Sequence, residues 1–160
     1  MRPLSKSKLL AFRQCPKRLW LEVRQPELRA DSGPAVARFA TGLQVGDIAR
    51  QLYDPQSLGA LIDPQAEGFD AAFARTQHLL THSRQPIFEA GFRAGGALAF
   101  ADVLLPSDEG DQLGWRMVEV KSSTSVKDYH RDDAAIQACL ARESGIALTA
   151  IAMAHIDSGW

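Results

Sequence analysis

The sequence predicts an α/β (α+β) fold: an αβββαβ core whose mixed central sheet carries helices on its faces, preceded by a helical N-terminal segment. Three observations predict it. Apolar runs of strand length crowd into residues 86–121, segments of helical spacing flank them on both sides, and a further apolar run closes the chain. A length of 160 residues with 46% apolar content suffices for one hydrophobic core. The expected organisation is therefore a single domain over 1–160, with a basic helical segment at 1–30 and the core at 35–154.

Taken in order, Ser5 or Ser7 can cap a short helix bearing Leu9, Leu10 and Phe12, and Cys15-Pro16 restarts the chain into a second helix over Lys17–Val23. Asp31-Ser32-Gly33-Pro34 reads as a turn. Over 35–52, Val36, Phe39, Ala40, Leu43, Ile48 and Leu52 recur near helical spacing and predict the first core helix. Pro55, Gly59, Pro64 and Gly68 make 54–68 a loop or short hairpin. A helix over 69–82 should bury Phe69, Phe73, Leu79 and Leu80. Strands follow near 86–93, 97–105 and 115–121, the first pair joined by a hairpin turn at Arg93-Ala94-Gly95-Gly96 and the second by the polar stretch 106–114. Gly145 should stop a helix over 129–144, and Ile146–Ala154 is the last strand. The sequence shows no internal repeat and no low-complexity segment.

The three central strands each carry an acid in an apolar setting. In Val118-Glu119-Val120-Lys121 the period of two sends the valines into a core and sets Glu119 and Lys121 together on the opposite face. Asp102 lies alone in Ala97–Leu105, and Glu89 sits likewise in Pro86–Phe92. A carboxylate in such a run must be neutralised, hydrogen-bonded or bound to a cation, because a bare buried charge is costly. For Glu89 a salt bridge to Lys121 or an Arg is the simpler alternative.

The order of these elements, with Glu89, Asp102, Glu119-Val120-Lys121 and Gln137 on successive strands and the following helix, resembles the PD-(D/E)XK nuclease superfamily. The RecB-like branch that includes the CRISPR-associated exonucleases is the nearest in pattern. Leu4-Ser5-Lys6-Ser7-Lys8-Leu9 and Cys15-Pro16-Lys17-Arg18-Leu19-Trp20-Leu21 resemble the start of that branch, and the similarity runs to about residue 154. The resemblance implies a restriction-endonuclease-like fold and a Mg2+ or Mn2+ ion held by Asp102, Glu119 and the Val120 carbonyl, with Glu89 as a further metal-site residue that positions the ion's water or a second ion. Such oxygen donors suit hard cations. It further implies a catalytic set of Glu89, Asp102, Glu119, Lys121 and Gln137, with Lys121 holding the attacking water and Gln137 supporting the site.

Two departures stand out. The branch often carries Gly-x-x-x-His on its first core helix, whereas Gly42-Leu43-Gln44-Val45-Gly46 puts Gly46 where that His ligand would be. Many relatives also hold an iron–sulfur cluster on four cysteines. With Cys15 and Cys139 alone, none is expected within this chain.

Net charge of −1 excludes a globally cationic nucleic-acid binder. Charge is unevenly spread, however: Arg2, Lys6, Lys8, Arg13, Lys17, Arg18, Arg24 and Arg29 face only Glu22 and Glu27 in the first 29 residues. Lys6, Lys8, Arg13, Lys17 and Arg18, with Lys127 and Tyr129 after the third strand, are the candidate contacts to a DNA backbone, RNA being the alternative polymer. A solvated helix face explains the same charges. His78 and His82, four apart, lack the neighbouring Glu and third ligand of a zinc site. No phosphate loop, dinucleotide fingerprint or nucleophile elbow occurs.

No apolar run approaches membrane-spanning length, and two distant cysteines without a secretion signal lead us to expect reduced thiols in the cytoplasm. The chain is expected to be part of a longer protein with a further C-terminal domain, or to form a homo-oligomer. The expected function is divalent-metal-dependent hydrolysis of phosphodiester bonds in DNA, in repair, recombination or defence. The alternative is an inactive nuclease-like domain that binds nucleic acid or a partner protein.

Overall fold

The computed structural model describes residues 3–28, 33–108 and 113–159, with the backbone alone for 33–40. The chain runs β1 (Leu4–Ser5), α1 (Lys6–Gln14), α2 (Pro16–Arg24), a 3-10 turn (Pro26–Leu28), α3 (Gly33–Tyr53), β2 (Ala60–Leu61), α4 (Pro64–Glu67), α5 (Phe69–His82), β3 (Ile87–Ala94), β4 (Ala97–Ser107), β5 (Gly114–Lys121), α6 (Asp128–Glu143) and β6 (Leu148–His155). This is the expected mixed α/β arrangement of a sheet flanked by helices.

Local chemistry sets most boundaries. Pro16 opens α2, where its missing N–H costs nothing, and the N–H of Cys15 closes α1 on Ala11. Gly95 and Gly96, with φ of 55° and 77°, supply the two left-handed residues of a tight hairpin between β3 and β4. Gly145 (φ 86°) ends α6: its N–H bonds to Arg142 and that of Ile146 to Ala141, the paired bonds of a Schellman stop.

The sheet order is β2-β3-β4-β5-β6, with β1 also paired to β4. The β3/β4 and β4/β5 pairs are antiparallel; β2/β3, β5/β6 and β1/β4 are parallel. On one face α5 and α6 cover a core built on Ile87, Phe92, Leu104, Trp115, Met117, Ala138 and Leu140. The other face holds a smaller cluster, Phe88, Val103 and Val118, against which Tyr53 of α3 packs.

Several expectations need correction. Residues 54–68 contain no hairpin, since β2 pairs in parallel with β3 and α4 follows, capped by Asp63. The helix 35–52 forms as α3, but Leu43, Ile48 and Leu52 are exposed; Ala49 is buried, and Tyr53 packs against the small cluster on the sheet. The side chains of Val36, Phe39 and Ala40 lie outside the described residues. In α5, Phe73 is buried as expected while Phe69 is exposed, its ring against Phe73 and Phe100 at the rim. The expected turn at 31–34 lies outside the described residues as far as Ser32, and Gly33 and Pro34 already belong to α3.

One irregularity shapes the sheet's centre. The β3/β4 register pairs Phe88 with Val103 and Ala90 with Ala101, passing over Glu89 and Asp102 between them. Phe88 and Val103 belong to the small cluster, yet Ala90 and Ala101 belong to the large core on the other face, so both strands change parity at this one pair. Glu89 takes up the change with φ 57°, a left-handed conformation that costs a non-glycine residue about 1–3 kcal/mol.

Candidate active site at a fork in the sheet

The β4/β5 ladder ends at the Val103/Val118 pair, while β4 continues to pair with β3 as far as Ala97. Beyond Val118, β5 leaves β4 and stays paired with β6 through Lys121. The edge of β4 so vacated is taken farther along by β1, with Leu4 beside Ala97 and Ser5 beside Leu98. A fork results. Asp102 lies on one prong, Glu119, Val120 and Lys121 on the other, and α1 begins at Lys6 immediately after the strand that fills the gap.

Hydrogen bonds tie the fork together. The Val120 N–H donates to Asp102 Oδ2 at 2.6 Å, replacing the ladder bond lost by the divergence. Lys121 Nζ donates to Glu119 Oε1 at 2.5 Å and also to Asp133 Oδ2 on α6. Lys6 Nζ lies 2.9 Å from Asp133 Oδ1 and 3.3 Å from Glu119 Oε1. Gln137 Nε2 donates to Glu119 Oε2 and lies 3.4 Å from Asp133 Oδ1. Gln137 is fully buried, and its Oε1 finds no partner among the described residues.

Glu119 and Lys121 share a face, as expected, and Val118 and Val120 share the other. The acid's face is not solvated, though: it is the face of Trp115 and Met117 under α6, and Glu119 is only 1% exposed. Burial, and then the Asp102 carboxylate, push the Glu119 carboxyl up to about 7. Burial likewise raises Asp102, against the opposing pull of Lys6 and the Val120 N–H, and it raises Glu89 against Lys6. Asp133 goes the other way. Burial alone would raise it, but Lys6 and Lys121 outweigh that and hold its carboxyl at about 2. Burial disfavours the charged ammoniums too, yet Glu119 and Asp133 outweigh it, raising Lys6 and pushing Lys121 up to about 12.

The structure thus brings Asp102, Glu119, Lys121 and Gln137 into one network, with Glu89 near enough to feel the charges of Lys6, Glu119 and Arg50. Glu89 has no ion-pair partner within 4 Å among the described residues, so the alternative of a salt bridge to Lys121 is not realised. Asp133 escaped the sequence reading; the available signal was its place one turn before Gln137 on the same helix face. Lys6, expected with the basic segment, has its ammonium inside the acid network.

The remaining backbone-binding candidates lie apart from it. Arg13 and Arg18 border a groove of about 1020 Å³ with Tyr129, but Asp128 and Asp132 line it too, and Arg13 pairs with Asp132 at 2.8 Å. Arg18 pairs with Glu22. Lys127 lies 5.9 Å over the exposed Tyr129 ring, and Lys8 and Lys17 have no ion-pair partner among the described residues. His78 and His82 stack on each other at 4.4 Å. Cys15 and Cys139 are exposed free thiols.

Among the described residues no group of three or more His, Cys, Asp or Glu is gathered closely enough to hold a metal ion. The donor set nevertheless fits a hard divalent cation in kind. It consists of carboxylate oxygens in a buried setting, where four acids face two ammoniums and Gln137 Oε1 is orphaned. No helix of the described residues is long and apolar enough to cross a membrane. No protein-family model matches the chain, and no curated protein matches it significantly.

Proposed function

We propose that the chain is a divalent-metal-dependent nuclease, of the PD-(D/E)XK kind, that hydrolyses phosphodiester bonds of DNA. The observation that carries this reading is the fork itself: acids from two diverging strands and a half-buried lysine meet under a fully buried glutamine. A structural ion pair needs one acid for one base. Here Lys6 and Lys121 both contact Glu119 and Asp133, and Asp102 and Glu89 lie beside them with carboxyls raised by burial, an excess of acids that a single Mg2+ or Mn2+ would stabilise in the charged form.

Asp102, Glu119, the Val120 carbonyl and Glu89 would hold the ion, which when bound polarises a phosphate and acidifies water. The chain's own groups do the rest. Asp102 is braced by the Val120 N–H and Glu119 by Gln137, so both carboxylates are oriented before substrate arrives. Lys121, kept protonated by Glu119 and Asp133, orients a water by donating to it and offsets negative charge developing on the phosphate oxygens. Residues of the groove beside α1, Arg13, Arg18 and Tyr129, would meet the polymer's phosphates and bases.

The ion pairs that Lys6 makes with Glu119 and Asp133, together with Gly46 at the position of the expected histidine, favour a second reading, an inactive domain that binds nucleic acid or protein. One experiment separates the two: titration of the purified chain with Mg2+ and Mn2+ on single- and double-stranded DNA and RNA. Ion-dependent cleavage abolished by EDTA is expected. Binding without cleavage at any ion concentration would establish the inactive module.

A further inference from the structure

A lysine does not ordinarily sit among a cluster of buried acids without a reason that the backbone makes visible. Here β1 is only two residues long, yet it pairs with β4 on the edge that β5 abandons, and the N–H of Leu4 is fixed to Gly96 at 2.9 Å. The residue after β1 is Lys6, the first of α1, so strand pairing and helix start together aim its side chain into the fork. There its ammonium bridges Asp133 Oδ1 and Glu119 Oε1, two carboxylates from different elements, while Lys121 bridges the other Asp133 oxygen and the same Glu119 oxygen. Asp133 is thereby committed on both oxygens to ammoniums, and Glu119 Oε1 is shared by two.

We propose that Lys6 is a resident cation of the site: a positioning residue, anchored by Asp133, that occupies the place between Asp133 and Glu119 which a second divalent ion would otherwise take, so that this chain accepts one divalent ion and not two. The inference rests on the nuclease reading and says how many ions that site holds. A hard divalent ion is held by carboxylate oxygens gathered from separate elements, and an ammonium at 2.9 Å and 3.3 Å from those two oxygens takes that place. Repulsion between like charges in a buried, water-poor setting keeps a second ion out while Lys6 stays. The side chain that holds Lys6 is as much part of the device as Lys6 itself, because Asp133 without a cation would join the ligand set.

The test counts ions and does not depend on cleavage. Mn2+ is titrated into the full chain, with the free ion followed by its EPR signal, for wild type, Lys6→Met and Lys6→Arg, each first checked by thermal unfolding. One equivalent is expected for wild type and for Lys6→Arg, which keeps the charge, and two for Lys6→Met. Equal stoichiometry in wild type and Lys6→Met overturns the proposal, as do two equivalents in wild type. No ion on the wild-type chain would count against the nuclease reading instead; the Lys6 assignment would then stand if Lys6→Met gains an equivalent and fall if it does not. Should Lys6→Met fail to fold, the wild-type chain decides by 15N-selective NMR of lysine ammonium groups, without and with saturating Mg2+. A Lys6 signal protected from solvent exchange in both states supports a resident cation, and one that merges with the exposed lysines once Mg2+ is added identifies a placeholder and overturns it.

Discussion

At the scale of single residues, Lys121 and Glu119 share a hydrogen bond, but the proposed nuclease reading gives them different work, and on that reading their variants should fail differently. Lys121→Ala removes a donor to the developing phosphate charge while the carboxylates remain, so it should still bind Mn2+ and DNA but cleave about 100-fold more slowly, a loss of about 2.7 kcal/mol in the barrier. Glu119→Gln should lose ion affinity as well. Identical ion-binding isotherms for the two variants would contradict these roles. The Glu119 carboxyl also predicts a pH dependence of stability. Its pKa of about 7 in the folded chain exceeds the ordinary 4.5, so between these values the folded state holds a proton that the unfolded state has released. Stability from this group is therefore greatest below pH 4.5 and falls as pH rises through 7, on the order of 1 kcal/mol per pH unit. Asp133, at about 2 against 3.8, acts in the opposite sense: its contribution is present above 3.8 and is lost as pH falls toward 2. Urea unfolding in EDTA across pH 4.5–7.5 should show a downward slope for wild type that Glu119→Gln flattens; parallel profiles would refute the assignment.

At the scale of elements, the helices α1 and α2 have two different tasks. Lys6 faces inward to the acids, whereas Lys17 and Arg18 on α2 are exposed, Arg18 paired with Glu22, and on the proposed reading both would meet a polyanion. Their charge would displace counterions from phosphates, so replacing both with Ala should weaken DNA binding at low salt and reduce the slope of log affinity against log salt by roughly 2. Arg18 is also held by Glu22 on its own helix, an exposed pair worth at most about 1 kcal/mol, so the double variant should keep its fold. An unchanged slope would return α2 to the status of a solvated helix. The hairpin β3–β4 has a stricter construction. A Cβ on Gly91 would lie 2.7 Å from the Phe100 ring and 2.9 Å from Phe73, so the stacked Phe73–Phe100 pair, with centroids 5.4 Å apart, closes over the strand only because position 91 has no side chain.

At the scale of the whole molecule, stability resides on the face of the sheet beneath α5 and α6. Phe92 is fully buried there, and Phe92→Ala should cost about 3–5 kcal/mol. The opposite face is thinly covered. Leu52, in α3, is 70% exposed, so Leu52→Ala should change stability by no more than about 0.5 kcal/mol although the residue belongs to the same apolar spacing that predicts the helix. Chemical denaturation of both variants checks the contrast, and comparable losses would mean that α3 is packed far more deeply than its exposed leucine and isoleucine side chains indicate.

The four long strands β3 to β6, the hairpin at Gly95-Gly96, the helix α5 and the stop at Gly145 were legible because each depends on local chemistry: side-chain period, turn residues with positive φ, and caps; the two-residue strands β1 and β2 were not. The same locality made Glu89, Asp102, Glu119 and Lys121 visible as polar residues in apolar settings, whereas Gln137 stood out only through the family resemblance. What no local pattern contains is which face of a strand meets which helix. The valines beside Glu119 marked one buried face, but only the packing of α6 shows that the acid's own face is the deeper one. The meeting of Asp133 and Lys6 was hidden for the same reason: one carried only the weak signal of lying a turn before Gln137, and the other read as one base of a cationic segment until the fold brings them together. Nor does the sequence contain the change of parity at Glu89 and Asp102 or the divergence of β5 from β4, which arise from satisfying two cores on opposite faces of one sheet. Residue period determined the elements of this protein; the competition between those faces, settled over separations of more than a hundred residues, decided where its charges meet.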